Sequence, residues 1–243
     1  MEDESLSKKE KRALAKEKKQ AEKQKANVTS KVKTWGIVLV VLGLLGYGGW
    51  KLWSWIQTPV EVPSEATVVL ENEWIKGNPE AAVTLIEYGD FQCPACAAYA
   101  PLVKQVSEEM TDTLRVVYRH YPLTQIHPNA IPAAQAAEAA GMQGKFWEMH
   151  DMLYEKQEEW SEQSNAEELF ISYAEELELD IEKFKSDYDS SEVRDAIAAD
   201  TVLGNQTGVS GTPTFVLNGQ SIRAPQSVEA FKALIESAIP TEN

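Results

Sequence analysis

Both cysteines of this 243-residue chain fall in one ten-residue stretch, "DFQCPACAAY", and its setting constrains the fold more than any other feature. Before it runs "AVTLIEYGDF", where Val83, Leu85, Ile86 and Tyr88 make a short β-prone run suited to a buried strand. After it runs "AAYAPLVKQVSEEM", with Ala98, Leu102, Val103, Val106 and Met110 at helical spacing. The pair Cys93-Pro94-Ala95-Cys96 therefore sits where a strand ends and a helix begins. Unpaired backbone N–H groups and the positive end of the helix dipole converge there and favour a thiolate. Pro94 suits the first helical position, where its missing N–H costs nothing. Cys93 is expected exposed at the helix cap and Cys96 one turn in, on the buried side. That spacing supplies an attacking and a resolving thiol.

Other uses of the pair fit less well. A structural disulfide would close a four-residue loop worth roughly 2 kcal/mol, against ~4–5 for a long loop. Zinc wants about four ligands. His120, His127 and His150 are too scattered to promise the other two. A buried pair of inert thiols ignores the strand-to-helix setting. No metal and no cofactor beyond a Cys93–Cys96 disulfide is expected.

The rest of the exported part continues the pattern. "LRVVYRHYPL", from Leu114, is a second strand candidate. Residues 129–206 read as helices, broken near Gly141 and Gly144, with Asn165 as an N-cap and a stop at Gly208. Phe215, Val216 and Leu217 then enter a hairpin at Asn218–Gly219. Val228, Phe231, Leu234, Ile235 and Ala238 share one face of a closing helix. The order implies an α/β sheet with helices on both faces and one helical insertion.

Charge divides the chain. Residues 1–34 carry 11 Lys/Arg and 6 Asp/Glu, whereas the other 209 carry 12 and 32. Between basic head and acidic body lies "WGIVLVVLGLLGYGGW", sixteen residues without a charge, and apolar character resumes after Lys51 to Ile56. Trp35–Ile56 is long enough for one transmembrane helix, with Lys51 snorkelling and Trp35, Trp50, Trp53 and Trp55 at the interfaces. The basic residues precede it, so residues 1–34 are expected in the cytoplasm and the body outside the plasma membrane. A cleaved signal peptide fits less well, because the head and apolar run are long and no A-x-A site follows closely. The head lacks an aromatic before Trp35 and any binding motif, so nucleic acid is not an expected partner. Residues 57–66, with Pro59 and Pro63, read as a linker, and the catalytic domain is expected over 67–243.

"NPEAAVTLIEYGDFQCPAC", "YRHYPL", "HPNAIPAAQAAEAAGMQGKFWEMHDML" and "GVSGTPTFVLNG" occur in an order that resembles the DsbA-like branch of the thioredoxin superfamily. Membrane-anchored bacterial members with a helical insertion are the most similar, and the likeness covers about Asn72 to Ile239. The resemblance implies a thioredoxin-like fold with an inserted all-helical subdomain. It makes Cys93 the nucleophile and Cys96 the resolving cysteine. It implies a cis peptide at Thr212–Pro213, in a loop that faces the pair and accepts a client strand. From the residues alone, Pro213 only begins a strand. The resemblance also assigns Glu87, an acid inside a buried strand, to proton transfer with the resolving thiol.

One departure stands out. Many oxidants of the family carry His between the cysteines, whereas Pro94–Ala95 brings no charge. Cys93 is therefore expected to be less acidic than in the strongest oxidants. His120 and His127 read as structural, and Phe146 and Trp147 as packing in the insertion. The expected function is thiol–disulfide exchange with exported clients bearing free thiols, reset by a membrane redox partner. Reductase or isomerase action fed by a membrane donor, or a tethered chaperone-like module without turnover, remain open at this point.

Overall fold

The structure is a computed structural model that describes residues 43, 44, 46–51, 69, 70 and 73–240. The chain divides between residues 58 and 59. In the first part, residues 43, 44 and 46–51 are helical, and Leu44, Tyr47 and Trp50 are exposed. Among the described residues no helix is long and apolar enough to cross a membrane. The span expected over 35–56 lies mostly outside them, as do the tail 1–34 and the linker 57–66.

The second part runs β1 (Trp74–Gly77), β2 (Val83–Gly89), α1 (Pro94–Glu109), β3 (Leu114–His120), then α2 (Ala130–Gly141), α3 (Phe146–Glu155), α4 (Gln157–Trp160), α5 (Glu167–Glu176), α6 (Ile181–Tyr188) and α7 (Ser191–Gln206). It closes with β4 (Thr214–Leu217), β5 (Gln220–Ile222) and α8 (Val228–Ser237). The sheet order is β1-β3-β2-β4-β5. β2 and β3 are parallel and every other pair is antiparallel.

Alternation along β2 decides which side chains meet the cysteines. Val83 and Leu85 face α1 and α8, packing with Leu114, Val116, Phe215 and Leu217 against Val103, Val106, Phe231 and Ile235. Ile86 and Tyr88 face the other way, with Val117, Val209 and Val216. There Gly204 of α7 lets Tyr121 come so close that an added Cβ would lie 2.7 Å from its ring. By the same alternation Glu87 points toward α1. The Asn218–Gly219 turn, with φ of 44° and 85°, has the two left-handed residues that a tight hairpin needs.

Three local expectations differ from what is observed. β1 is an additional edge strand of four residues, with Trp74 opposite Tyr118; a segment that short carries no period to read. Ala98 is exposed and Ser107 buried on α1. Cys96, Val103 and Val106 fix the inner face, and Ala98 lies about 200° around the helix from Cys96. The Ser107 hydroxyl donates to the Lys104 carbonyl at 2.7 Å, which makes its burial inexpensive. The N-cap of α5 is Ala166, while the Asn165 side chain accepts the Glu167 N–H at 3.2 Å.

The helices between β3 and β4 share one core with Phe91, Cys93, Cys96 and Tyr118 of the cysteine turn and sheet. Ala133, Ala136, Ala137, Ala139 and Ala140 are fully buried, and their small size admits Met149, Leu153, Trp160 and Phe170. Phe146 is also buried there and stacks on Trp74 at 4.7 Å, with Trp147 packed against the cluster.

Candidate active site

Cys93 is the N-cap of α1, with extended backbone (φ −73°, ψ 120°), and Pro94 takes the first helical position. Its N–H donates to the Asp90 carbonyl at 3.0 Å and its carbonyl accepts from Ala97. Cys96, one turn on, is fully buried. Both cysteines are thiols. Contrary to expectation Cys93 is only 7% exposed, because the loop before β4 covers it. Its Sγ–H donates to the Thr212 carbonyl at 3.5 Å, and the Thr212–Pro213 peptide is cis.

The two thiols differ sharply in acidity. Cys93 is lowered to about 5. The Cys96 S–H that donates to its thiolate is the main cause; burial opposes, and the Thr212 hydroxyl and the N–H groups of Cys96 and Ala95 add donors. The Thr212 hydroxyl is buried and has no partner while Cys93 is a thiol, so the thiolate is the acceptor it awaits. Cys96 is raised by burial, by its donation to Cys93 and by the Glu87 carboxylate. Glu87 is itself buried, its Oε1 has no partner, and desolvation raises it to about 8. It is therefore mostly a neutral carboxyl at pH 7.

Side chains from the insertion hold the turn before Cys93. Asp90 is buried: its Oδ1 accepts the Gln92 N–H, and its Oδ2 accepts the Leu123 N–H and pairs with His127 Nδ1 at 2.7 Å. Gln157 Nε2 donates to the carbonyls of Phe91 and Cys93, at 2.6 and 3.1 Å. Gln92 bonds Ser161 and Asn129, and Asn129 donates to the carbonyls of Trp160, Ser161 and Gln163. Sequence reasoning missed Asp90, Gln92, Asn129 and Gln157. Only Asp90 carried a local sign, an acid two residues before an N–H it caps. His127 thus serves the turn through Asp90, and His120 is tied to Glu138 at 2.8 Å. Among the described residues no cluster of three metal-ligating side chains occurs.

The profile of the thioredoxin family matches residues 70–237. The chain belongs to that family. A thioredoxin-like oxidoreductase from Silicibacter pomeroyi is 29% identical and superposes with a TM-score of 0.59, covering 70% of this chain and 93% of that one. Alpha-DsbA1 of Wolbachia pipientis, 19% identical, shares the fold at a TM-score of 0.64 over 72% of this chain and 94% of that one. The fold is thus DsbA-like, as the motif order led us to expect. A Na(+)/H(+) antiporter NhaA 3 of Salinispora tropica is 40% identical over 168 residues, 69% of this chain. This chain spans only 25% of that protein's length.

The acidity of Cys93 gives a direct expectation. Alkylation of the reduced protein should titrate with a midpoint near pH 5, at Cys93 alone. Thr212→Val removes one donor to the thiolate and should move that midpoint upward. Mass spectrometry of iodoacetamide-labelled protein across pH reads both; an unchanged midpoint would detach Thr212 from the thiolate.

Proposed function

We propose that the chain is a membrane-anchored, extracytoplasmic thiol–disulfide oxidoreductase that introduces disulfides into exported proteins. The observation that carries this reading is the division of labour between the thiols, an acidic Cys93 at a helix N-terminus and a buried Cys96 that resists ionisation. A client thiolate attacks Cys93 Sγ of the oxidised pair, and Cys96 leaves with the bond electrons. Cys96 takes the proton of the Glu87 carboxyl. The second client thiolate then attacks the client sulfur of the mixed disulfide and expels Cys93 as a thiolate. The client ends with a disulfide and the protein with a reduced pair.

Stabilising the Cys93 thiolate stabilises the reduced form, which makes the disulfide oxidising. A midpoint near 5 lies between about 7 for thioredoxin and about 3.5 for DsbA, in keeping with a motif that lacks histidine. The Thr212–Pro213 loop places backbone beside Cys93, where an extended client segment pairs by strand addition. The uncharged run before Lys51, and the exposed Leu44, Tyr47 and Trp50 on its helical residues, support the anchor. A membrane redox partner resets the pair. Clients with free thiols are the substrates.

The test is oxidation of a reduced, unfolded client by the full chain in detergent. Cys93→Ser should lose at least about a thousandfold in rate, since the remaining cysteine, Cys96, is fully buried and resists ionisation. Full activity in that variant would end the reading. A reduction potential near thioredoxin's ~−270 mV would reverse the direction to reductase.

A further inference from the structure

Thiol exchange as described uses the sulfur of Cys93 and leaves the ground beside its backbone unused. A groove of about 230 Å³ opens there. Gln92 and Pro94, which flank Cys93, line it, as does Gln157, which donates to the Cys93 carbonyl at 3.1 Å. Cys93 thus has the Thr212 carbonyl at its sulfur and this groove along its flanking residues.

Part of the lining is apolar: Pro94, Pro128 and Ile126, the last 69% exposed. A single exposed isoleucine is ordinary. What makes this one specific is the acceptors beside it. Gln157 is only 8% exposed, and its Nε2 is committed to the carbonyls of Phe91 and Cys93, which fixes the amide. Its Oε1 has no donor among the described residues, so this oxygen is what the amide has left to offer the groove. His127 gives its Nδ1–H to Asp90 at 2.7 Å, and the neutral ring keeps a lone pair at Nε2. Glu162 is exposed at the groove and pairs with no cation among the described residues. No Lys or Arg lines the groove, and Lys156, next to Gln157, is held by Glu176 at 2.6 Å.

We propose that this groove takes a Lys or Arg side chain next to the client cysteine, and so selects clients with a basic residue beside the thiol. The selection rests on thiol exchange at Cys93–Cys96. Lysine and arginine match both halves of the lining. The aliphatic stem packs on Ile126 and the two prolines, and the charged head donates to Gln157 Oε1 and Glu162. A client glutamate brings acceptors to acceptors. A client leucine covers Gln157 Oε1 without giving it a donor. Residues of an extended client paired beside Thr212–Pro213 are about 3.3 Å apart. A long side chain one or two positions from the client cysteine therefore reaches the groove while the client sulfur is at Cys93.

The experiment is stopped-flow oxidation of two dithiol peptides by the oxidised full chain in detergent. The peptides share one composition. One has Lys on both sides of the attacking cysteine; the other has Gln there and the lysines about six residues away. Equal charge cancels the general pull of the acidic body. Each rate is divided by that peptide's rate with glutathione disulfide, which removes the effect of lysine on the thiol itself. Adjacent lysine should raise the wild-type rate constant about tenfold. Glu162→Gln should cut this preference to about threefold or less, and Glu162→Lys should abolish it. Ile126→Ser, which removes support for the stem, should cut it as well. The ratio of the two peptides is read in every variant, so a general loss of activity does not imitate the result. Equal wild-type rates for the two peptides would overturn the groove's role, and so would a preference that Glu162→Lys leaves in place. A wild-type chain that oxidises neither peptide would instead overturn thiol exchange itself.

Discussion

Glu87→Leu should make the reduced protein more stable and a poorer enzyme. Glu87 is fully buried, one of its oxygens has no partner, and desolvation raises it from 4.5 to about 8. The folded state then holds a proton that the unfolded state releases above pH 4.5. Stability from this group is greatest below pH 4.5, falls as pH rises, and levels off above about 8. Each unit is worth about 1.4 kcal/mol, so the deficit at pH 7 is on the order of 3 kcal/mol. Leucine has nearly the same volume and no charge to desolvate. Urea unfolding of the reduced proteins at pH 5 and pH 8.5 should show the wild type losing stability between them and the leucine variant losing much less. Opening of the Cys93–Cys96 disulfide by a client thiolate should slow by about a hundredfold, the usual size of a positioned proton donor. Equal pH dependence in the two proteins would mean that Glu87 titrates normally, and its part in proton transfer would fall with it.

That trade is the kind of local conflict that marks a working site. An acid in an otherwise apolar strand was visible in "TLIEYG" because the alternation of β2 is a short-range pattern. The same holds for Cys93 as N-cap and for the hairpin at Asn218–Gly219, each fixed by neighbouring residues. What escaped was long-range. Gln157 reaches Phe91 and Cys93 across more than sixty residues, and Asn129 reaches the 160–163 turn across more than thirty. No periodicity reports which amide a folded insertion carries to which carbonyl. Cys93 was misjudged as exposed because the covering loop comes from Thr212, far along the chain.

Trp160→Ala tests whether the insertion is part of the redox site or merely attached to it. Trp160 is fully buried, packs edge-on against Phe170 at 5.3 Å, and donates Nε1–H to the Leu153 carbonyl at 2.9 Å. Truncating it opens a cavity and strands that carbonyl, a loss of about 3–5 kcal/mol. Trp160 also ends α4, the helix that begins with Gln157, and its own carbonyl accepts from Asn129. Loosening α4 therefore frees the carbonyls of Phe91 and Cys93 and lets the turn before α1 relax. The donors around the thiolate lose their alignment, and the Cys93 alkylation midpoint should rise from about 5. Phe231→Ala supplies the comparison. Phe231 is as deeply buried on α8, across the sheet core with Phe215, and its loss should cost about as much. It touches none of the amides that hold the turn, so the midpoint should stay near 5. If both variants lose stability and both leave the midpoint in place, the insertion supports the fold without setting the chemistry of Cys93. A midpoint that moves in Trp160→Ala alone would assign the acidity of the nucleophile in part to helices some sixty residues away.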